Sequence, residues 1–194
     1  MNVINEYAST HNLHEIALNL GCGGRPLEGW INIDNYDYEN DDTSRSGSHY
    51  DIKMDLKNLD VAAGTVDKIL LVHVIEHFVR WETIDLLAYF HSLLRPSGQL
   101  IVEMPDFDQC VALMQQGQSA PHIRTPIGLM NMGKTQFYGN QWDRLDYETH
   151  RYVWSINEFV GELKKIGYRI MSANHDAIFH LKGRDMIVVA EKSS

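Results

Sequence analysis

The chain is poor in cysteine, proline and positive charge, and it has no long apolar run. Two cysteines among 194 residues, Cys22 and Cys110, exclude a disulfide framework and show no metal-ligand spacing. Five scattered prolines, with no low-complexity tract and no internal repeat, mark no linker, so residues 1–194 read as one domain. No apolar stretch approaches the ~18 residues of a membrane span, and no secretory pattern precedes the first predicted strand. The expectation is a soluble, cytoplasmic protein with no membrane partner. Lys and Arg number 17 against 26 Asp and Glu, a net charge of -9, which excludes a general nucleic-acid binder. A local basic pocket around Arg124, Lys134, Arg144 and Arg151 remains compatible with that balance. The 44% hydrophobic content is ample for a core.

What is present is concentrated near the start. Leu18-Asn19-Leu20-Gly21-Cys22-Gly23-Gly24 is an apolar run entering a glycine cluster, and Trp30-Ile31-Asn32-Ile33-Asp34 is a second run ending in a carboxylate. Glycines let a backbone approach a ligand with no side chain between them. A carboxylate at the tip of the next strand can accept hydrogen bonds from both hydroxyls of a ribose. Each such charge-assisted bond is worth roughly 1.5–3 kcal/mol, enough to make one Asp important for recognition. The pair predicts a nucleotide-like cofactor. Cys22, set among glycines, reads as a compact packing residue.

The rest alternates strands and helices. Strands are expected at Glu15–Leu20, Trp30–Asp34, Tyr50–Met54, Val66–Val72 and Leu100–Met104, the fourth apolar enough to be covered on both faces. Trp81–Leu94 carries Ile84, Leu87, Phe90 and Leu94 at helical spacing, and Arg95-Pro96-Ser97-Gly98 should stop that helix. Ser155-Ile156-Asn157-Glu158 is a capping-box pattern opening a helix that turns Ile156, Phe159, Val160, Leu163 and Ile166 inward and ends at Gly167. Two strands, Tyr168–Ala173 and Met186–Ala190, close the chain. This is a doubly wound α/β fold with a mostly parallel, Rossmann-like sheet and an antiparallel C-terminal strand. Residues 1–14 form an N-terminal extension or lid. Residues 107–150, where periodicity fades, form an insertion expected beyond the carboxyl ends of the strands, where ligands bind in such sheets.

Taken together, LNLGCGG, WINID, VHVIEHF, LLRPSGQLIVEMPD and MIVVAEK resemble the class I S-adenosylmethionine-dependent methyltransferases from about Ile16 to Glu191. The short gap before GWINID, and the stretch from Tyr138-Gly139-Asn140-Gln141 to His150-Arg151-Tyr152, are similar to short bacterial enzymes of sugar, capsule and lipopolysaccharide biosynthesis. The resemblance implies S-adenosylmethionine as cofactor and S-adenosylhomocysteine as product. It implies that Gly21 and Gly23 turn against the methionine moiety and ribose, and that Asp34 holds the ribose hydroxyls. Asp55 and Leu56 would border the adenine, and His73 would line the methionine side. Asn19 stands where the family often has an acidic residue, which makes that contact missing or neutral. With only ten residues from Gly23 to Asp34, the first crossover helix should be vestigial.

The reaction so implied is methyl transfer to a small-molecule or sugar-containing acceptor, most readily at oxygen. A hydroxyl acceptor needs a base, for which His150, then Asp106, and also His77 are candidates. N- or carboxyl-methylation, or non-catalytic cofactor binding, are the alternatives. For an anionic acceptor, Arg124, Arg144 or Arg151 offers a clamp. Phe137, Tyr138, Trp142, Tyr147, Tyr152 and Trp154 form either a stacking platform or the local core of the insertion. His73-Val74-Ile75-Glu76-His77 also matches the H-x-x-E-H pattern of certain zinc peptidases. That chemistry needs both histidines on one helical turn, and His73 directly follows a strand, so no metal is expected. A nicotinamide dehydrogenase is disfavoured because G-C-G-G-R-P lacks the full G-x-G-x-x-G spacing. The oligomeric state is open, a homodimer included.

Overall fold

The computed structural model describes residues 2–35, 50–141 and 148–193. Its centre is a seven-stranded sheet of order β3-β2-β1-β4-β5-β9-β8. The strands are β1 (Ala17–Leu20), β2 (Ile31–Asp34), β3 (Ile52–Lys53), β4 (Val66–Val72), β5 (Leu94–Pro105), β8 (Tyr168–Asn174) and β9 (Asp185–Lys192). The first five pair in parallel, whereas β9 runs antiparallel to both β5 and β8. All four residues of β1 are buried, as expected where both faces of a parallel sheet are covered. Leu18, Leu20, Ile31, Ile33, Ile69 and Leu71 join one core with Leu87, Phe90, Phe159 and Leu163 of the flanking helices.

Those helices are α2 (Arg80–Leu93) and α5 (Ile156–Ile166). Ser155 caps α5, its hydroxyl accepting from the Glu158 N–H, and Gly167 ends it at φ +115°. Between β1 and β2 the chain crosses through residues 21–30 with no helix, matching the vestigial crossover expected from the short gap. One difference lies at Arg95–Gly98. The helix does end there, but the chain immediately re-enters the sheet, with Val66 opposite Leu94 and Lys68 opposite Gln99. Five residues of β5 oppose two steps of β4, so the turn signal is absorbed as a bulge with Ser97 at φ +61°.

The N-terminal segment is anchored. Helix α1 (Val3–Thr10) buries Ile4 completely, and the Ile4 and Val3 N–H groups donate to the Asp60 carbonyl and carboxylate. Asp60 lies on the segment entering β4, at the amino ends of the strands. The insertion is ordered in its described part. It comprises α3 (Phe107–Gln115), a hairpin of β6 (His122–Thr125) and β7 (Gly128–Asn131), and α4 (Met132–Tyr138). Helices α3 and α4 approach so closely that a Cβ on Gly133 would stand 2.2 Å from the Cys110 carbonyl oxygen. Among the described residues no helix is long and apolar enough to cross a membrane.

Candidate functional site

At the carboxyl end of β1 the chain turns through Gly21 and Gly23, both with positive φ (+64° and +54°). A Cβ on Gly21 would lie 2.7 Å from Cγ2 of Val74, so this turn has room only for hydrogen. The Gly21 N–H donates back to the Ile33 carbonyl (2.8 Å), and the Gly23 N–H donates to Oδ2 of Asp34 (2.8 Å). Asp34 thus stands at the tip of β2 directly against the glycine turn. Asn19 is buried, its amide donating to Oδ1 of Asn32 (2.9 Å) and to the Arg25 carbonyl (3.2 Å). Cys22 is 7% exposed, and burial followed by the Asp34 charge pushes its thiol up to about 12, in keeping with a packing role.

Asn19, Gly21, Cys22, Gly23, Gly24 and Arg25 line a cleft of about 300 Å³ together with Leu27, Val72, His73, Phe179 and His180, while Asp34 stands behind the glycine turn. Phe179 and His180 come from the loop between β8 and β9, which sequence reasoning missed. Two features hold that loop in place. Glu103, fully buried on β5, accepts from the Ile178 and Phe179 N–H groups (2.7 and 3.0 Å). Asp185, fully buried at the start of β9, accepts from Leu181 N–H (3.2 Å) and pairs with the Arg184 guanidinium. The one sequence cue for this was a carboxylate directly preceding an apolar strand. Asp55 and Leu56 do not line this cleft. Asp55 is exposed and accepts from the Lys57 N–H (2.9 Å), closing a turn, while Leu56 packs against the core.

His73 ends β4 at φ +54°, a conformation that side-chain-bearing residues rarely adopt. Its ring is fixed by two buried carboxylates. Nε2 donates to Oδ2 of Asp185 (3.1 Å), and Nδ1 lies 3.0 Å from Oε1 of Glu76. Burial lowers the pKa of His73, but the charges of Glu76 and Asp185 outweigh it and raise the ring to about 9. His73 is therefore an imidazolium at neutral pH, its ring centre 4.3 Å from that of His180 with the two planes inclined at 43°.

Glu76 is 0% exposed in a 3-10 turn, Ile75–His77. Burial opposes its ionisation, yet the facing His73, His150 and His77 rings hold it down at about 2. Neither carboxylate oxygen has a hydrogen-bond partner among the described residues. The His73 contact is short enough for an ion pair but lies off the line of a hydrogen bond. The Glu76 carbonyl also accepts from Arg151 N–H (2.7 Å) and Tyr152 N–H (3.3 Å), which brings residues 150–152 onto this turn. His150 Nε2 consequently lies 3.9 Å from Glu76 Oε1, with the His150 and His77 rings edge to face at 4.9 Å. His150 donates from Nδ1 to the Gln136 carbonyl, and His77 from Nδ1 to the Thr149 carbonyl (3.3 Å). A carbonyl only accepts, so Nδ1 of each ring carries a proton. Burial lowers the pKa of His150 and keeps it neutral, Glu76 only partly opposing this.

Of the three expected bases, His77 and His150 therefore meet, while Asp106 does not join them. Asp106 is 1% exposed, and its two oxygens accept from Gln109 N–H and Ile156 N–H (2.9 Å each), tying α3 to α5. Helix capping, a common task for Asp, claims this residue. His73 and His77 straddle the strand-to-turn bend, so the peptidase arrangement on one helical turn is not formed.

A second cleft, about 470 Å³, is lined by Phe107, Phe137, Tyr138, His150, Arg151 and Tyr152, among others. Trp154 is wholly buried in the core, so the aromatic cluster divides between lining and packing. Arg124 is exposed on β6, while Trp142, Arg144 and Tyr147 lie outside the described residues.

This strand order, with a glycine turn after β1 and an acid after β2, defines a class I methyltransferase fold. The sequence matches the family model described as "Methyltransferase domain" over residues 2–173, and the chain belongs to that family. The chain thus carries a methyltransferase domain. No match is found among curated proteins. Similar solved structures include a Methanosarcina mazei S-adenosylmethionine-dependent methyltransferase (13% identity, 96% of this chain and 98% of that one, TM-score 0.59). A Mesorhizobium loti S-adenosylmethionine-dependent methyltransferase is similar at 13% identity, 98% of both chains and TM-score 0.56. The 1,6-didemethyltoxoflavin-N1-methyltransferase of Burkholderia thailandensis, solved with its acceptor and S-adenosylhomocysteine, shares 14% identity over 100% of this chain and 80% of that one, with TM-score 0.56.

Proposed function

We propose that this methyltransferase acts on oxygen of a small hydroxylated molecule, a sugar-containing metabolite being the class that fits best. The observation that carries this reading is the line His73–Glu76–His150, which runs from the glycine cleft to the aromatic cleft over contacts of 3.0 and 3.9 Å. Donor and acceptor would occupy the two clefts and meet along it. The glycine cleft suits the cofactor: Gly21 leaves a backbone surface that a Cβ could not share with Val74, and Asp34 faces the same turn.

When bound, S-adenosylmethionine supplies a methyl group activated on a sulfonium. Gly21 and Gly23 present backbone to the methionine and ribose portions, Asp34 accepts from the ribose hydroxyls, and Asn19 and His73 border the methionine end. In the second cleft, Phe137, Tyr138 and Tyr152 offer ring faces for an apolar sugar face. Arg151, exposed at its edge, fits an acidic substituent on the acceptor. A hydroxyl there meets the unprotonated Nε2 of His150, with His77 behind it, and these two residues are assigned to loss of its proton. Alignment of the two reactants can contribute as much as about 7–11 kcal/mol to lowering the barrier.

Calorimetric titration with S-adenosylmethionine, S-adenosylhomocysteine and NAD tests the cofactor half, with Asp34→Ala alongside. Binding of the two adenosyl ligands alone, weakened in the variant, is expected. Undiminished affinity in Asp34→Ala overturns the ribose role. Methyl transfer from labelled donor to panels of hydroxylated, amino and carboxylate compounds then tests the acceptor. Transfer confined to amines or carboxylates overturns the oxygen assignment.

A further inference from the structure

We infer that Glu76, His77 and His150 form a binding site for a divalent first-row transition cation such as Mn²⁺ or Zn²⁺, at the junction of the two clefts. The ligand atoms of these three residues all lie within 4.8 Å of one another. Two imidazoles and one carboxylate are a donor set that such cations take, with positions left open for other ligands. Cis ligands about 2.1 Å from a metal stand about 3 Å apart, so modest side-chain rotation would close the set around an ion.

Three observations beyond proximity point to a cation. The first is Glu76 itself, a fully buried carboxylate with no hydrogen bond to either oxygen among the described residues. Such a group carries a large desolvation cost unless charge is supplied to it. His73 supplies part of that charge from one side of Oε1, leaving the other oxygen without a donor. The second is the orientation of the two rings. Each sets its Nδ1 against a backbone carbonyl, Gln136 for His150 and Thr149 for His77, so that Nε2 is the nitrogen left to coordinate. This is the outer arrangement that orients histidine ligands in metal sites. The third is how the site is assembled. Gly139 at φ +70° leaves no room for a Cβ, which would sit 2.2 Å from the Glu148 carbonyl and 2.8 Å from Cδ2 of His150. The chain is folded closely here to bring His150 against Glu76.

The other cluster, His73 with His180 and Asp185, is a weaker candidate because the Arg184 guanidinium already neutralises Asp185. In the Glu76 site, the open positions would take a hydroxyl oxygen of the acceptor, an extension that rests on the oxygen assignment above. The O–H proton passes to solvent water as the cation stabilises the oxygen's charge. The oxygen's electron pair then forms the C–O bond while the C–S bond of the donor breaks towards sulfur. His77 and His150 thereby promote proton loss as ligands and need not accept the proton themselves.

The test uses the full chain without a histidine tag, stripped with a chelator and titrated calorimetrically with Mn²⁺ and Zn²⁺. Wild type is expected to bind one cation per chain. His77→Ala and His150→Ala are expected to weaken it at least 10–100-fold while retaining S-adenosylhomocysteine binding. His14→Ala, an exposed histidine remote from the cluster, should bind as wild type does. Absence of stoichiometric binding, or equal affinity in the ligand variants, overturns the site. If a variant fails to fold, wild-type Mn²⁺ still decides through electron spin-echo modulation: imidazole nitrogen coupling supports the site and its absence overturns it. Chelator-resistant transfer to hydroxyls, with no cation bound, would sink this inference yet leave the oxygen assignment standing. Tight cation binding with transfer only to amines would do the reverse.

Discussion

Substitution of Gly21 by Ala tests whether the cofactor turn is set by sterics, and Val74 makes the test specific. The new Cβ would lie 2.7 Å from Cγ2 and 3.4 Å from Cγ1 of Val74, at a backbone φ of +64°. The left-handed conformation costs an alanine roughly 1–2 kcal/mol whatever surrounds it. Val74 is 6% exposed and stiff at χ1, so it cannot yield cheaply, and overpacking of this kind costs about 1–3 kcal/mol. Gly21→Ala is therefore expected to destabilise the protein by about 2–5 kcal/mol, the sum of the two terms. Val74→Ala alone loses buried methyl groups, at about 1–3 kcal/mol. Paired with Gly21→Ala, it removes the clash but not the backbone strain. The double variant should therefore be more stable than additivity requires by about 1–3 kcal/mol. Urea denaturation of the four proteins measures this coupling, and S-adenosylhomocysteine calorimetry on the same set reports the turn. The double variant should regain part of the affinity lost in Gly21→Ala. Stabilities that add within about 0.5 kcal/mol would refute the steric account.

Other perturbations separate structural from chemical roles. Asp106→Ala strands two backbone N–H groups and should cost about 2–4 kcal/mol in denaturation while the pH profile of methyl transfer keeps its shape. A lost limb in that profile would restore Asp106 as a base. Gly139→Ala forces Cβ into the backbone of Glu148 and His150, and should weaken Mn²⁺ binding about tenfold or more while S-adenosylhomocysteine affinity stays near that of wild type. Equal Mn²⁺ affinity would show that the close approach does not position His150. The thiols of Cys22 and Cys110 are raised to about 12, mainly by burial, so at pH 8 about 10⁻⁴ of each is thiolate, against about a tenth for an ordinary thiol at 9. Iodoacetamide should therefore label neither until the protein unfolds, as mass spectrometry would show, whereas rapid native labelling would contradict the burial.

Much of the fold was legible because its signals are local. Three apolar residues, Ala17, Leu18 and Leu20, running into Gly21, and a carboxylate after Ile33, describe a strand, a turn and a strand whatever lies around them. Ser155 and Gly167 likewise bracket α5 through bonds made within a few residues. The bulge at Arg95–Gly98 shows the limit: proline and glycine signalled a turn, but only pairing with β4 decides that the chain stays in the sheet. Asp106 shows it more sharply. Its position after a strand resembles that of a base, yet Gln109 and Ile156 claim both oxygens, and Ile156 is fifty residues away.

The sequence by itself determined that this chain would build a parallel sheet with a glycine turn and an acid at adjoining strand tips, since hydrophobic period and backbone freedom are properties of short segments. Only the tertiary structure decided which charged groups would face one another. Asp185 on β9 reaches His73 across β5, and the Glu76 carbonyl draws Arg151 and Tyr152 onto its own turn, placing His150 beside His77. Such meetings join residues about 70 to 110 positions apart. Their energies depend on burial and mutual distance, which no local pattern encodes.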